Sequence, residues 1–198
     1  KEQNIPRRTS GQVCVKAPVF PFIKLRGLDP APGPEMKSTG EVYGSDERAD
    51  LDYLKARLAT EVPVATEGGA YLTVRDEDKE NLVPVAQELV AIGFTLYATE
   101  GTADALRRHD IPVTTVYRIA EGKHPDALDL MRQGKVSFIV NVPTVSGGAV
   151  RDGNMMRRLA VELNIPFVTT MRGASMEVAA MRAHIEEDLQ PRKLTVHY

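Results

Sequence analysis

Thr95-Leu96-Tyr97-Ala98-Thr99-Glu100-Gly101-Thr102-Ala103-Asp104-Ala105-Leu106 is the stretch whose reading decides the fold. An apolar run from Phe94 leads into it, and Ala103, Leu106 and Arg107 then recur at turn spacing, so it reads as strand, tight turn and helix from Thr102 to His109. A helix start offers unpaired N–H groups and the positive end of the helix dipole. Here two hydroxyls, Thr99 and Thr102, flank a glycine that lets the backbone approach an oxyanion. The plainer alternative is that a threonine only caps the helix and Gly101 only makes the turn.

Outward from this stretch the alternation continues. Ala70 to Val74 reads as a strand, and Asp78 to Ile92 as a helix with Leu82, Val85, Ala86, Leu89 and Ile92 inward and Pro84 either in its first turn or at a kink. Val113 to Tyr117, Val136 to Asn141 and Ile165 to Val168 read as further strands. Asp126 to Arg132, Asn154 to Leu163 and Ala174 to Ile185 read as helices, and Leu194 to His197 as an added edge. Short-spaced alternation of this kind predicts an α/β fold: a doubly wound, mostly parallel five-stranded sheet that binds ligands beyond the carboxyl ends of its strands. Thr73, Lys79, Thr99, Gly101, Thr102, Arg118, Asn141 and Thr144, with Lys123 nearby, then converge on one mouth. Singly, Lys79 and Arg118 read as solvated charges; together with hydroxyls and an amide they suit a phosphate.

The first 44 residues differ, with six prolines from Pro6 to Pro34 interrupting regular structure. Only Gln12 to Lys16 and Phe20 to Leu25 look strand-like, and Val19, Phe20, Phe22, Ile23 and Leu25 predict a surface that packs on another. Residues 45–67 predict a linker helix with Leu51, Leu54, Lys55 and Leu58 on one face, and Glu67-Gly68-Gly69 a boundary before a domain spanning 68–198.

The chain has 198 residues, 42% of them hydrophobic, and 25 Lys and Arg against 27 Asp and Glu give a net charge of −2. That balance argues against nucleic acid or an anionic membrane as partner. Cys14 is the only cysteine, so there is no intramolecular disulfide framework. No apolar run reaches membrane-spanning length, and a cytoplasmic protein is expected. His109, His124, His184 and His197 show no ligand spacing with each other or with Cys14, so no metal site is expected.

Two sets of motifs carry a family resemblance. Val15-Lys16-Ala17-Pro18-Val19-Phe20-Pro21-Phe22, Gly27-Leu28-Asp29-Pro30 and Gly33-Pro34-Glu35-Met36-Lys37-Ser38-Thr39-Gly40-Glu41-Val42 resemble the end of the second ATP-grasp unit in the large chain of carbamoyl phosphate synthetases. Thr73-Val74-Arg75, Asp78-Lys79-Glu80, Gly93-Phe94, Ala98 to Ala103, Tyr117 to Gly122, Ile139-Val140-Asn141 and Asp152 to Arg158 resemble the methylglyoxal-synthase-like domain that closes the same chain.

The resemblance implies that residues 1–44 are the tail of a catalytic unit and that the chain is a fragment or a split subunit. It further implies that residues 68–198 bind a nucleotide effector of UMP, UTP or IMP type through the residues matching Thr73, Lys79, Thr99, Thr102, Arg118 and Asn141, with no catalysis of their own. ATP and magnesium would belong to the catalytic units, partners would be the rest of the large chain or an ATP-grasp subunit, and a homo-oligomer is left open. The pathway implied is carbamoyl phosphate supply for pyrimidine and arginine biosynthesis.

Two departures stand out. Phe167-Val168-Thr169 replaces a Tyr-Asp-Thr that helps hold ornithine in bacterial members, and Val142 to Gly148 replaces a hydroxyl-rich turn. The alternative, a methylglyoxal-synthase-type lyase acting on dihydroxyacetone phosphate, needs a carboxylate base beside the phosphate, and Asn141 to Gly148 contains no acid.

Overall fold

In the computed structural model, which describes residues 13–21, 30, 36–60, 62–143, 148–187 and 189, the elements run in chain order. They are β1 (Val13–Val19), β2 (Gly40–Asp46), α1 (Ala49–Leu58), β3 (Gly69–Thr73), α2 (Lys79–Ala91), β4 (Thr95–Thr99), α3 (Glu100–Arg107), β5 (Thr114–Val116), α4 (Ala127–Arg132), β6 (Phe138–Asn141), α5 (Gly148–Glu162), β7 (Phe167–Val168) and α6 (Met171–Glu186). Short 3-10 turns at Asp76–Asp78 and Ile119–Glu121 follow β3 and β5.

β3 to β7 form one parallel sheet of five strands in the order β5-β4-β3-β6-β7. The chain winds from β3 through β4 to β5, then crosses back to lay β6 and β7 on the other side. The direction of winding therefore reverses between β3 and β6, where sheets of this kind open a crevice. The doubly wound α/β expectation holds.

β3 and β6 read as nearly unbroken apolar runs because both of their faces are covered. Ala70, Leu72, Phe138 and Val140 meet Leu82 and Leu89 of α2, Leu106 of α3 and Met181 of α6 on one face. Tyr71 and Ile139 meet Leu130 and Met131 of α4 and Met156 and Ala160 of α5 on the other. Each such fully buried aliphatic or aromatic side chain contributes about 1.5–3 kcal/mol.

Several boundaries move. α3 begins at Glu100 rather than Thr102, so there is no separate turn at Gly101. α5 starts at Gly148 and α6 at Met171, earlier than the apolar spacing suggested. Pro84 is the sixth residue of α2 and so lies beyond its first turn.

The largest difference is β2, unforeseen because Gly40 and Gly44 disfavour a strand. It pairs antiparallel with β1 from Val13↔Asp46 to Val19↔Gly40. Gly44 is needed there: a Cβ would overlap the Asp52 carbonyl oxygen and lie 2.9 Å from the Ala56 amide nitrogen of α1.

α1 is buried on two sides rather than along the expected stripe. Asp52 and Ala56 lie against β2, Leu54 packs with Ala180 and Ala183 of α6, and Leu58 is exposed. Ion pairs follow the same division. Lys55 Nζ lies 2.6 Å from Asp46, whereas Arg57 grips both carboxylate oxygens of Glu177 at 2.8 and 3.0 Å, and the Tyr53 hydroxyl donates to the same carboxylate at 2.8 Å. Of the predicted packing surface, Val19 is half-buried and Phe20 exposed outside any strand; Phe22 to Leu25, like Leu194 to His197, lie outside the described residues. No described helix is long and apolar enough to cross a membrane.

Candidate functional site

The carboxyl ends of β3 and β6 meet where the winding reverses. Thr73 is paired in register with Asn141, and the Val142 N–H donates to the Thr73 carbonyl at 3.0 Å. One strand over, Thr99 ends β4 opposite Val116 of β5. The backbone thus lines up Thr73, Thr99 and Asn141 along one edge.

Thr99 occupies the N-cap position of α3 in extended conformation, but its hydroxyl makes no capping bond. The simple capping reading of Thr99 therefore fails. Gly101 lies in the first turn of the helix, and a Cβ there would stand 3.3 Å from Lys79 Nζ. What glycine supplies is a close approach of the ammonium to the amino end of α3, where N–H groups have no helical partner. Thr102, one residue on, is buried.

Lys79 opens α2, and its ammonium lies 2.6 Å from Asp76 Oδ1, a carboxylate almost wholly in solvent. Lys79, and more weakly Arg118, hold the Asp76 carboxyl below its usual range. A ligand oxyanion would compete with Asp76 for the lysine. Arg75, beside it, pairs with Asp78 at 2.6 Å.

Arg118 is exposed and follows β5; its N–H donates to Glu121. Two residues later, the Ala120 N–H donates to Asp152 Oδ2 of α5 at 3.2 Å, tying this turn to the helix that follows β6. Beneath lies the Tyr71 phenol, whose pKa is pushed up by burial and then by Asp152 and Asp126, with Arg118 opposing. Lys123 sits over the Tyr117 ring, 5.4 Å from its centroid. Thr144 lies outside the described residues.

One neighbour was missed by sequence reasoning. Arg157 of α5 is only 3% exposed, and its guanidinium donates to Asn141 Oδ1 at 2.5 Å. The signal was a charge on an apolar stripe: Gly153, Met156, Arg157 and Ala160 recur at helical spacing and are all buried.

The ligand atoms of His124, Asp126 and Asp129 lie within 4.8 Å of one another, a grouping that a search for His and Cys spacing passes over. The carboxylates already serve the start of α4: Asp126 accepts from the Asp129 N–H at 2.9 Å, and Asp129 from the Asp126 N–H at 3.0 Å and from His124. This reciprocal cap explains the cluster without an ion.

Around the mouth, an ammonium, a helix start, hydroxyls and an amide come together. Such a donor set suits an oxyanion.

Residues 81–169 match the family described as an MGS-like domain. The chain is 46% identical over 172 residues to a "Carbamoyl phosphate synthase large chain, C-terminal section" of Methanocaldococcus jannaschii, covering 86% of this chain and 28% of the relative. It is 44% identical over 176 residues to the section of the same name from Methanopyrus kandleri, covering 89% and 32%. To a carbamoyl phosphate synthase large chain of Methanosarcina barkeri it is 43% identical over 169 residues, covering 85% and 16%. The chain thus spans a third or less of the length of these relatives.

Proposed function

We infer that this chain, which matches the C-terminal portion of carbamoyl phosphate synthase large chains and carries an MGS-like domain, is the effector-binding portion of such a synthetase. The mouth takes the phosphate of a nucleotide of UMP, UTP or IMP type. The observation that carries this reading is the approach of Lys79 Nζ to the Gly101 backbone at the start of α3, beside a Thr99 hydroxyl that no cap occupies. An ammonium, helix N–H groups and a free hydroxyl around one point form an anion site with geometry set by backbone.

In this reading the residues around the phosphate are Thr73, Lys79, Thr99, Gly101, Thr102, Arg118, Asn141 and Thr144. ATP and magnesium are handled by catalytic units beyond the matched portion, and the product serves pyrimidine and arginine synthesis. The effector acts by binding one conformation of the larger enzyme more tightly than another. α6 supplies a route for that preference. It starts at the mouth end of the sheet, where the Thr170 hydroxyl accepts from the Gly173 N–H at 3.0 Å, and two turns on its Glu177 is gripped by Arg57 and Tyr53 of α1. α1 in turn holds the antiparallel β1–β2 pair through Lys55 and Asp46. Lyase chemistry is not favoured, because Asn141 to Gly148 offers no carboxylate base.

Calorimetric titration with UMP, UTP, IMP, ornithine and dihydroxyacetone phosphate tests the reading. Saturable binding of a nucleotide, lost in both Lys79→Ala and Thr99→Ala, is expected. Release of inorganic phosphate from dihydroxyacetone phosphate, or nucleotide binding indifferent to both substitutions, would overturn it.

A further inference from the structure

We propose that Arg157 is a positioning residue that fixes the polarity of Asn141, so that the end of β6 presents only a hydrogen-bond donor to the effector. The proposal rests on the effector-binding reading of the mouth and adds to it a rule for what the ligand must offer at this point.

An asparagine amide can usually turn to present either its oxygen or its nitrogen, but arginine has donors and no acceptor. Arg157 donates to Asn141 at 2.5 Å, so the atom facing it is Oδ1 and the one left over is Nδ2. Both side chains are nearly buried, at 3% and 5% exposed, so water does not level the two orientations. Oδ1 is thus taken by the guanidinium, and Nδ2 is the amide atom left for a ligand.

Gly153 completes the device. A Cβ at this position would lie 2.8 Å from the Arg157 guanidinium and 3.1 Å from Asn141 Oδ1, so the helix can approach β6 closely only where a side chain is missing. Asn141 itself is register-paired with Thr73 at the reversal of the sheet. The group that meets Nδ2 must therefore be an acceptor, such as a phosphate or carbonyl oxygen. A ligand presenting an N–H or a hydroxyl hydrogen there is rejected.

Calorimetric titration with UMP and IMP of the wild type, Arg157→Lys, Arg157→Met, Asn141→Ala, Asn141→Asp and the Arg157→Met, Asn141→Ala double variant tests this. Arg157→Met and Asn141→Ala should each weaken binding about tenfold, the scale of one hydrogen bond to a charged group. The double variant should be no weaker than Asn141→Ala, because Arg157 acts through the amide. Arg157→Lys, which keeps a donor toward Oδ1, should restore part of the affinity. Asn141→Asp keeps the buried arginine partnered and the chain folded, yet it should lose binding because it replaces the donor with an acceptor. Unchanged affinity in Arg157→Met, or losses that multiply in the double variant, would overturn the proposal and leave the effector reading standing. A wild type that binds none of these nucleotides would overturn both.

Discussion

The seam between α1 and α6 and the mouth at the β3–β6 edge each hold an arginine, half-buried at the seam and buried at the mouth, but against different partners. At the seam, Arg57 meets the carboxylate of Glu177 through two bonds, and Tyr53 donates a third. Glu177 is 1% exposed, and its charge is matched on the spot. At the mouth, Arg157 donates to the neutral amide of Asn141, Lys79 leans on a carboxylate that lies in solvent, and the Thr99 hydroxyl caps nothing. The seam is closed on itself; the mouth is rich in donors, as the proposed effector site requires. The same residue type thus reads as structural or functional according to what its partner leaves unsatisfied.

The largest effect should come from breaking the seam. Arg57→Ala strands the Glu177 carboxylate in a buried site and should lower stability by about 3 kcal/mol, read from urea unfolding. Effector affinity at the mouth should change far less in the same variant. The reverse pattern is expected of Lys79→Ala: an unfolding midpoint close to wild type and nucleotide affinity reduced by about tenfold or more, read by calorimetry.

Asp52, on the seam helix, sharpens the contrast, since it is a buried carboxylate whose desolvation outweighs the Val15 backbone and Lys55 that oppose it. It is fully buried, its oxygens lack a well-formed hydrogen bond, and burial holds its carboxyl above the ordinary value of 3.8. A raised folded pKa means that the folded chain binds the extra proton, so this group's contribution falls as pH rises through the window above 3.8. Asp52→Asn should therefore add about 1 kcal/mol at neutral pH, with the gain vanishing in acid below the ordinary carboxylate range, as a pH series of unfolding curves would report. Asp46, held below its usual range by Lys55, behaves oppositely: its contribution is present above that range and is lost on acidification.

The smallest effect is expected at Asp76, whose charge is screened by water. Asp76→Asn frees Lys79 and should raise phosphate affinity about twofold, measurable by titration at low ionic strength.

The sheet was legible because Leu72, Phe138, Ile139 and Val140 are buried whatever else the chain does, and burial on both faces leaves a plain apolar run. β2 was not legible, since Gly44 is there for its contact with α1, a tertiary cause that outweighs local propensity. Thr73, Lys79, Thr99 and Asn141 could be placed from the strand ends alone. Arg157 could not be given a role without the structure, because its partner lies sixteen residues earlier on another element. The two-sided burial of α1 was also hidden: Asp52 and Ala56 look like solvent positions until β2 covers them.

The most direct test of the account is an amide chemical-shift titration of the isotope-labelled chain with UMP and IMP. The account predicts saturable shifts centred on Gly101, Thr102 and Ala103 at the start of α3 and on Lys79, with smaller ones at Thr73 and Asn141. Shifts centred elsewhere, or none with either nucleotide, would contradict it.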